Sequence, residues 1–154
     1  MKAESIEWQW DDTDPGGYTD TDRGRFIFTV NEKNNTTEIR RIVSTGESTL
    51  IWSRPTATAN SAALVCQDDV LYVAFYSRSA TGCRVLALNA SSGEVLWETP
   101  LQGIGSIGHS KYKNSVQIRM MDEYLVIFGW EASGKYIEIL NPQDGRLIFN
   151  RKVK

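Results

Sequence analysis

A chain of 154 residues, 41% hydrophobic and 23% charged, has the size and balance of one ordinary folded domain, which excludes a disordered or fibrous protein. With 17 basic against 19 acidic residues, the net charge of −2 lacks the basic excess of a non-specific nucleic-acid binder, and no apolar run approaches the roughly 20 residues of a membrane span. Met1–Ser5 lacks the apolar core of a signal peptide, so the expected compartment is the cytoplasm, and Cys66 and Cys83, without a C-x-x-C, give neither a disulfide framework nor a zinc site.

In chain order, residues 1–22 come first, with seven acids (Glu4, Glu7, Asp11, Asp12, Asp14, Asp20 and Asp22) against Lys2; that net of −6 leaves +4 on the remainder. Ile6, Trp8 and Trp10 alternate with Glu7 and Gln9, which predicts a strand over 5–10. Strands follow at Arg25–Val30, Glu38–Val43 and Leu50–Trp52. A second set reads Ser61–Cys66, Val70–Phe75, Arg84–Asn89 and Val95–Trp97, and a third Ser115–Met120, Tyr124–Phe128, Tyr136–Leu140 and Leu147–Phe149. Trp52, Trp97 and Phe149 stand at equivalent points, 45 and 52 residues apart. Several strands per unit at that period predict an all-β single domain (1–154) of three four-stranded antiparallel blades of propeller type, at about 5–54, 61–101 and 115–154. The last strand ends almost at Lys154, so the chain is expected to run between unit boundaries.

The stretch Ala87-Leu88-Asn89-Ala90-Ser91-Ser92-Gly93-Glu94-Val95-Leu96-Trp97 resembles the tryptophan-docking repeat of quinoprotein-type (PQQ-like) β-propellers, with Asn89 for the usual Asp and Ser92 for the usual Thr. Asn141, Gly145 and Phe149 fall at the same offsets in the third copy; the first keeps Ile42 and Trp52 but displaces Gly46. The glycine lets the chain turn with positive φ, the Asn carboxamide can bond the turn backbone, and the closing aromatic packs on a neighbouring blade. Trp52, Trp97 and Phe149 are therefore expected in the core. Propellers usually have about 4–8 blades, so three either close tightly, remain an open array or pair with a second chain as a homo-oligomer.

Candidate chemistry is sparse. Gly103-Ile104-Gly105-Ser106-Ile107-Gly108 matches G-x-G-x-x-G, but no helical pattern follows to receive a pyrophosphate, so an inter-blade loop is expected. His109 is the sole histidine, which excludes a histidine-rich metal site. The stretches Asp12–Gly16 and Asp20–Gly24 hold fragments of calcium loops without the full ligand series and are expected to be solvated turns. No metal and no cofactor are expected.

In a four-stranded meander the longer connections here (Asn31–Thr37, Pro55–Asn60, Ser77–Gly82, Gln102–Asn114 and Glu131–Lys135) emerge on one rim, where binding usually resides. The predicted contact residues are His109, Lys111, Tyr112, Lys113 and Trp130 on that rim, with Asp11, Asp12, Asp14, Asp20 and Asp22 steering a basic partner protein. The expected function is a non-catalytic protein-interaction module, not an enzyme: a small inhibitor or immunity-type protein. The alternative implied by the resemblance is a small-ligand or quinone-dependent redox protein. The larger quinoproteins hold their cofactor in a complete ring with an acidic base and a metal, and three blades without that constellation count against it.

Overall fold

The computed structural model describes residues 1–55, 61–76, 82–106 and 115–153. Twelve strands are found among them: β1 (Tyr18–Thr21), β2 (Gly24–Asn31), β3 (Thr36–Ile42), β4 (Ser48–Arg54), β5 (Ala62–Gln67), β6 (Val70–Tyr76), β7 (Cys83–Asn89), β8 (Val95–Pro100), β9 (Ser115–Met121), β10 (Tyr124–Glu131), β11 (Gly134–Leu140) and β12 (Leu147–Lys152). They form three antiparallel meanders, β1–β4, β5–β8 and β9–β12. The innermost strands β1, β5 and β9 are neighbours in that order, so the blades stack face to face without closing a ring. The all-β, three-blade expectation holds.

The same local devices recur in the repeats. A register shift interrupts the β3–β4, β7–β8 and β11–β12 pairings at Ile39/Arg40, Ala87/Leu88 and Ile139/Leu140. Gly93 and Gly145 turn at φ 76° and 77°, and their N–H groups donate to the carbonyls of Asn89 and Asn141. The Asn89 carboxamide oxygen accepts from the N–H groups of Ser91 and Ser92, and that of Asn141 from Gln143. The turn chemistry anticipated for these positions is therefore present.

Period-2 alternation gives each blade two faces. Phe26, Phe28 and Ile39 of the first blade pack on Leu71, Val73, Phe75, Leu86 and Leu88 of the second. The opposite side of the second, with Tyr72, Ala74, Val85 and Ala87, packs on Leu125, Ile127 and Leu140 of the third. The two ends of the stack differ. The outer side of the first blade carries Arg25, paired with Asp20, and Arg40, paired with Glu38. The outer side of the third blade is apolar, with Val126, Phe128, Ile137 and Ile139. Such a face cannot be left in water at about 25 cal/mol per Å² of apolar surface.

Its cover is the N-terminal arm, and here the structure corrects the sequence reading. Residues 5–10 form no strand; Tyr18–Thr21 fills the innermost place in the first blade. The arm makes a short 3-10 turn at Ala3–Ser5 and then lays Ile6, Trp8 and Trp10 over the third blade. The alternation of apolar residues is real, but it serves packing on a sheet face rather than pairing at a sheet edge. Trp52, Trp97 and Phe149 occupy equivalent positions against the three apolar clusters, yet each is only partly buried, because the fourth strand is the outermost of its blade.

Candidate functional site

The arm crosses from the third blade to β1 over the starts of β5 and β9, and there it closes a cleft of about 380 Å³. Trp10, Asp11, Asp12 and Asp14 form one wall, with Ser61 at the start of β5 and Gln117 on β9 opposite. Gln117, 4% exposed, fixes the crossing: its Oε1 accepts the Asp11 N–H at 3.0 Å and its Nε2 donates to the Asp11 carbonyl at 2.7 Å. The Asp11 carboxylate accepts both the hydroxyl and the N–H of Thr13, which holds its pKa below the ordinary carboxylate value, with a further contribution from Arg119. Asp14 accepts the Gly16 N–H at 2.8 Å. Among the described residues none of Asp11, Asp12 and Asp14 has an ion pair.

Asp20 and Asp22 are not part of this surface. They lie at the far end of β1, where Asp20 is bound by Arg25 at 2.7 Å and neighbouring Arg23 pairs with Asp69 of the second blade. The five aspartates expected to steer together are divided between the two ends of β1. The hydrogen bonds from Arg25 hold Asp20 below the usual carboxylate range. Trp130, 44% exposed, stands beside the arm: Trp10 meets it edge-on at 5.5 Å, and the Lys135 ammonium lies 4.6 Å from its ring centre. It belongs to the aromatic cluster of Trp8 and Trp10, an arrangement that the sequence reading missed. The predicted His109, Lys111, Tyr112 and Lys113 lie outside the described residues; Ser115, which follows them in sequence, lines the cleft.

The glycine-rich stretch has a different use from the one its pattern suggests. The N–H groups of Gln102, Gly103 and Ile104 donate to the Glu138 carboxylate at 2.6, 3.1 and 2.7 Å, and that of Gly105 to Glu131 at 2.7 Å. These are the donors a phosphate would need, and the chain's own buried carboxylates occupy them. Gly105, at φ 80°, lies so close to the Cys83 and Gly82 backbone that a side chain would collide. The Tyr76 hydroxyl also donates to Glu131, at 2.6 Å. Burial pushes the Glu138 carboxyl above its ordinary pKa, against the opposing effect of its three N–H donors. The sequence signal for this pair is an acid at an inward position of an apolar strand, as in Tyr136-Ile137-Glu138-Ile139-Leu140. Cys66 and Cys83 are free thiols, and burial raises the pKa of both. No cluster of three His, Cys, Asp or Glu side chains able to hold a metal is found among the described residues.

No family model and no curated protein matches this sequence. Solved structures do match its fold. A europium-containing methanol dehydrogenase aligns over 88% of this chain and 24% of its own, with a TM-score of 0.56 and 8% identity. A bifunctional GH43-CE protein of Bacteroides eggerthii aligns over 88% and 19%, at 0.54 and 13% identity. A quinohemoprotein alcohol dehydrogenase from Pseudomonas putida HK5 aligns over 86% and 25%, at 0.53 and 11% identity. The chain is thus an open array of propeller blades built like those of quinoprotein dehydrogenases, and it spans a quarter or less of these neighbours. Two of the three are dehydrogenases, which overturns the expectation that the chain stands outside the enzymes, although the overlap with each is partial. The described lining of the cleft holds Asp11, Asp12 and Asp14 and no cationic side chain, which does not suit a polyanionic ligand.

Proposed function

We propose that this chain is a protein-interaction module that takes a basic segment of a partner protein in the cleft at the start of its inner strands. The supporting observation is the set of Asp11, Asp12 and Asp14, which have no ion pair among the described residues and line an open cleft beside the Trp10 indole. A carboxylate outside any ion pair can meet a cation from outside, and an indole beside it adds a cation–π surface for Arg or Lys. A small inhibitor or immunity-type protein that neutralises a basic partner is the narrower form of this reading. The test is calorimetric titration with a hepta-arginine peptide and, in parallel, a hepta-glutamate peptide. Saturable binding of the basic peptide alone is expected, weakening with salt and falling when Asp11, Asp12 and Asp14 are replaced by Asn. Indifference to that replacement, or equal binding of the acidic peptide, removes the reading.

A further inference from the structure

The cleft is made by two bodies. One wall is scaffold, from the starts of β5 and β9; the other is the segment that continues directly from the arm, beginning at Trp10. No backbone–backbone hydrogen bond among the described residues joins residues 1–14 to the third blade. The arm is held by side chains: Ile6, 2% exposed, among Val126, Phe128, Ile137 and Ile139; Trp8 edge-on to Phe128 at 5.5 Å; and Arg151, whose guanidinium donates to the Ile6 carbonyl at 2.8 Å. Trp8 and Trp10 stack at 5.3 Å with their planes 5° apart, so the docked end of the arm and the cleft wall are mechanically continuous. A segment without ladder bonds to the sheet beneath it can leave that sheet without breaking its strands.

We propose that docking of the arm on the third blade builds the acidic cleft, so that arm docking and binding of a basic partner are linked equilibria. The proposal rests on the reading of the cleft given above. Ile6, Phe128 and Arg151 are then positioning residues: none lines the cleft, yet each sets the fraction of molecules in which Asp11, Asp12 and Asp14 stand in place. Apparent affinity falls by that fraction, and by reciprocity a bound partner holds the arm down.

The experiment compares the wild type with Ile6→Ala and the milder Arg151→Gln. Near-ultraviolet circular dichroism of the stacked Trp8–Trp10 pair follows docking. Amide exchange at Asp11, bonded to Gln117, and at Asp14, bonded to the Asp11 carbonyl, follows the cleft wall. Hepta-arginine titration follows function. Both variants are expected to lose the Trp-pair signal and the protection of the Asp11 and Asp14 amides in parallel. Peptide affinity is expected to drop in the same order, about tenfold or more for Ile6→Ala. Protected Asp11 and Asp14 amides in a variant that has lost the Trp-pair signal overturn the linkage, whether or not the peptide binds. A wild type that does not bind the peptide defeats the functional reading instead, and the exchange measurement still decides the linkage.

Discussion

Trp97 Nε1 donates a 3.0 Å hydrogen bond to the carbonyl of Pro142, tying the outermost strand of the second blade to the β11–β12 turn of the third. The Tyr72 hydroxyl reaches the same carbonyl at 3.4 Å, and the indole lies directly over Gly145. At the preceding interface Gly93 of the second blade also lies against the outermost strand of the first, but there the contact is the Ile51 carbonyl rather than an indole. The outer strands of the first and second blades are thus seated on the glycine turn of the next blade, and at the second of these interfaces it is the closing aromatic that meets the glycine.

Trp97→Ala should therefore cost both packing and a hydrogen bond. Complete burial would put the loss at 3–5 kcal/mol; for a half-buried ring that also gives up an indole N–H bond, about 3 kcal/mol is expected. Urea unfolding measures it, and a loss below about 1 kcal/mol would show that the ring is not an anchor between blades.

Gly145→Ala should destabilise through the partner surface. The position combines φ 77° with a space in which a Cβ would overlap the Trp97 ring and the Thr99 hydroxyl. A loss of at least about 2 kcal/mol is expected, against about 1 kcal/mol for Gly46→Ala, where φ is 91° and the space is open. Equal losses at the two sites would assign the whole effect to backbone strain.

The blades were legible because period-2 alternation and the Asn–Gly turn are local signals, repeated at nearly fixed spacing. Ile6, Trp8 and Trp10 misled because alternation reports two faces, not the partner of either. Whether such a segment pairs at an edge or lies across a face depends on Val126, Phe128, Ile137 and Ile139, more than a hundred residues away. The division of the aspartates failed to show for a related reason: Asp14 and Asp20 are close in sequence, but strand β1 holds them at its two ends. Glu138 stands in the sequence as an acid within an apolar strand, a signal the sequence reading passed over, while its partners, the N–H groups of residues 102–104, carry no side-chain signature at all.

Glu138 and Glu98 should respond to pH in opposite senses. Burial raises the Glu138 pKa above its ordinary 4.5, so the folded state holds that proton more tightly than the unfolded one. Its contribution is present in full below the ordinary value and is lost as pH rises through the raised one. Glu138→Gln removes the titration, so its stability relative to wild type should improve as pH rises above the ordinary value of 4.5. A constant difference across that range would show that the three N–H donors cancel the cost of burial.

Glu98 of the second blade accepts from Arg54 of the first at 2.6 Å and from Arg84 of its own blade. Burial opposes its ionisation, but the two guanidinium bonds prevail and hold its pKa below 4.5. That contribution is present above the ordinary value and is lost as pH falls through the lowered one. Glu98→Gln should therefore be less stable than wild type at neutral pH, with the gap closing in acid. A gap that widens on acidification would refute the bridging role.

The apolar end of the stack supplies the last expectation. Ile6 is 2% exposed, and Ile6→Asp would place a charge among Val126, Phe128, Ile137 and Ile139, so the arm should leave the third blade rather than bury it. The uncovered face resembles the surfaces that join the blades to one another, whereas the opposite end of the stack carries the ion pairs Arg25–Asp20 and Arg40–Glu38. Released faces should consequently meet in pairs, third blade to third blade, around a two-fold axis. Sedimentation of Ile6→Asp across a concentration series should show a mass that doubles, while Leu50→Asp, at an exposed position of β4, should leave the mass of the wild type unchanged. An Ile6→Asp protein that loses the Trp8–Trp10 signal yet keeps the wild-type mass at every concentration would show that the arm covers this face without being needed to keep copies apart.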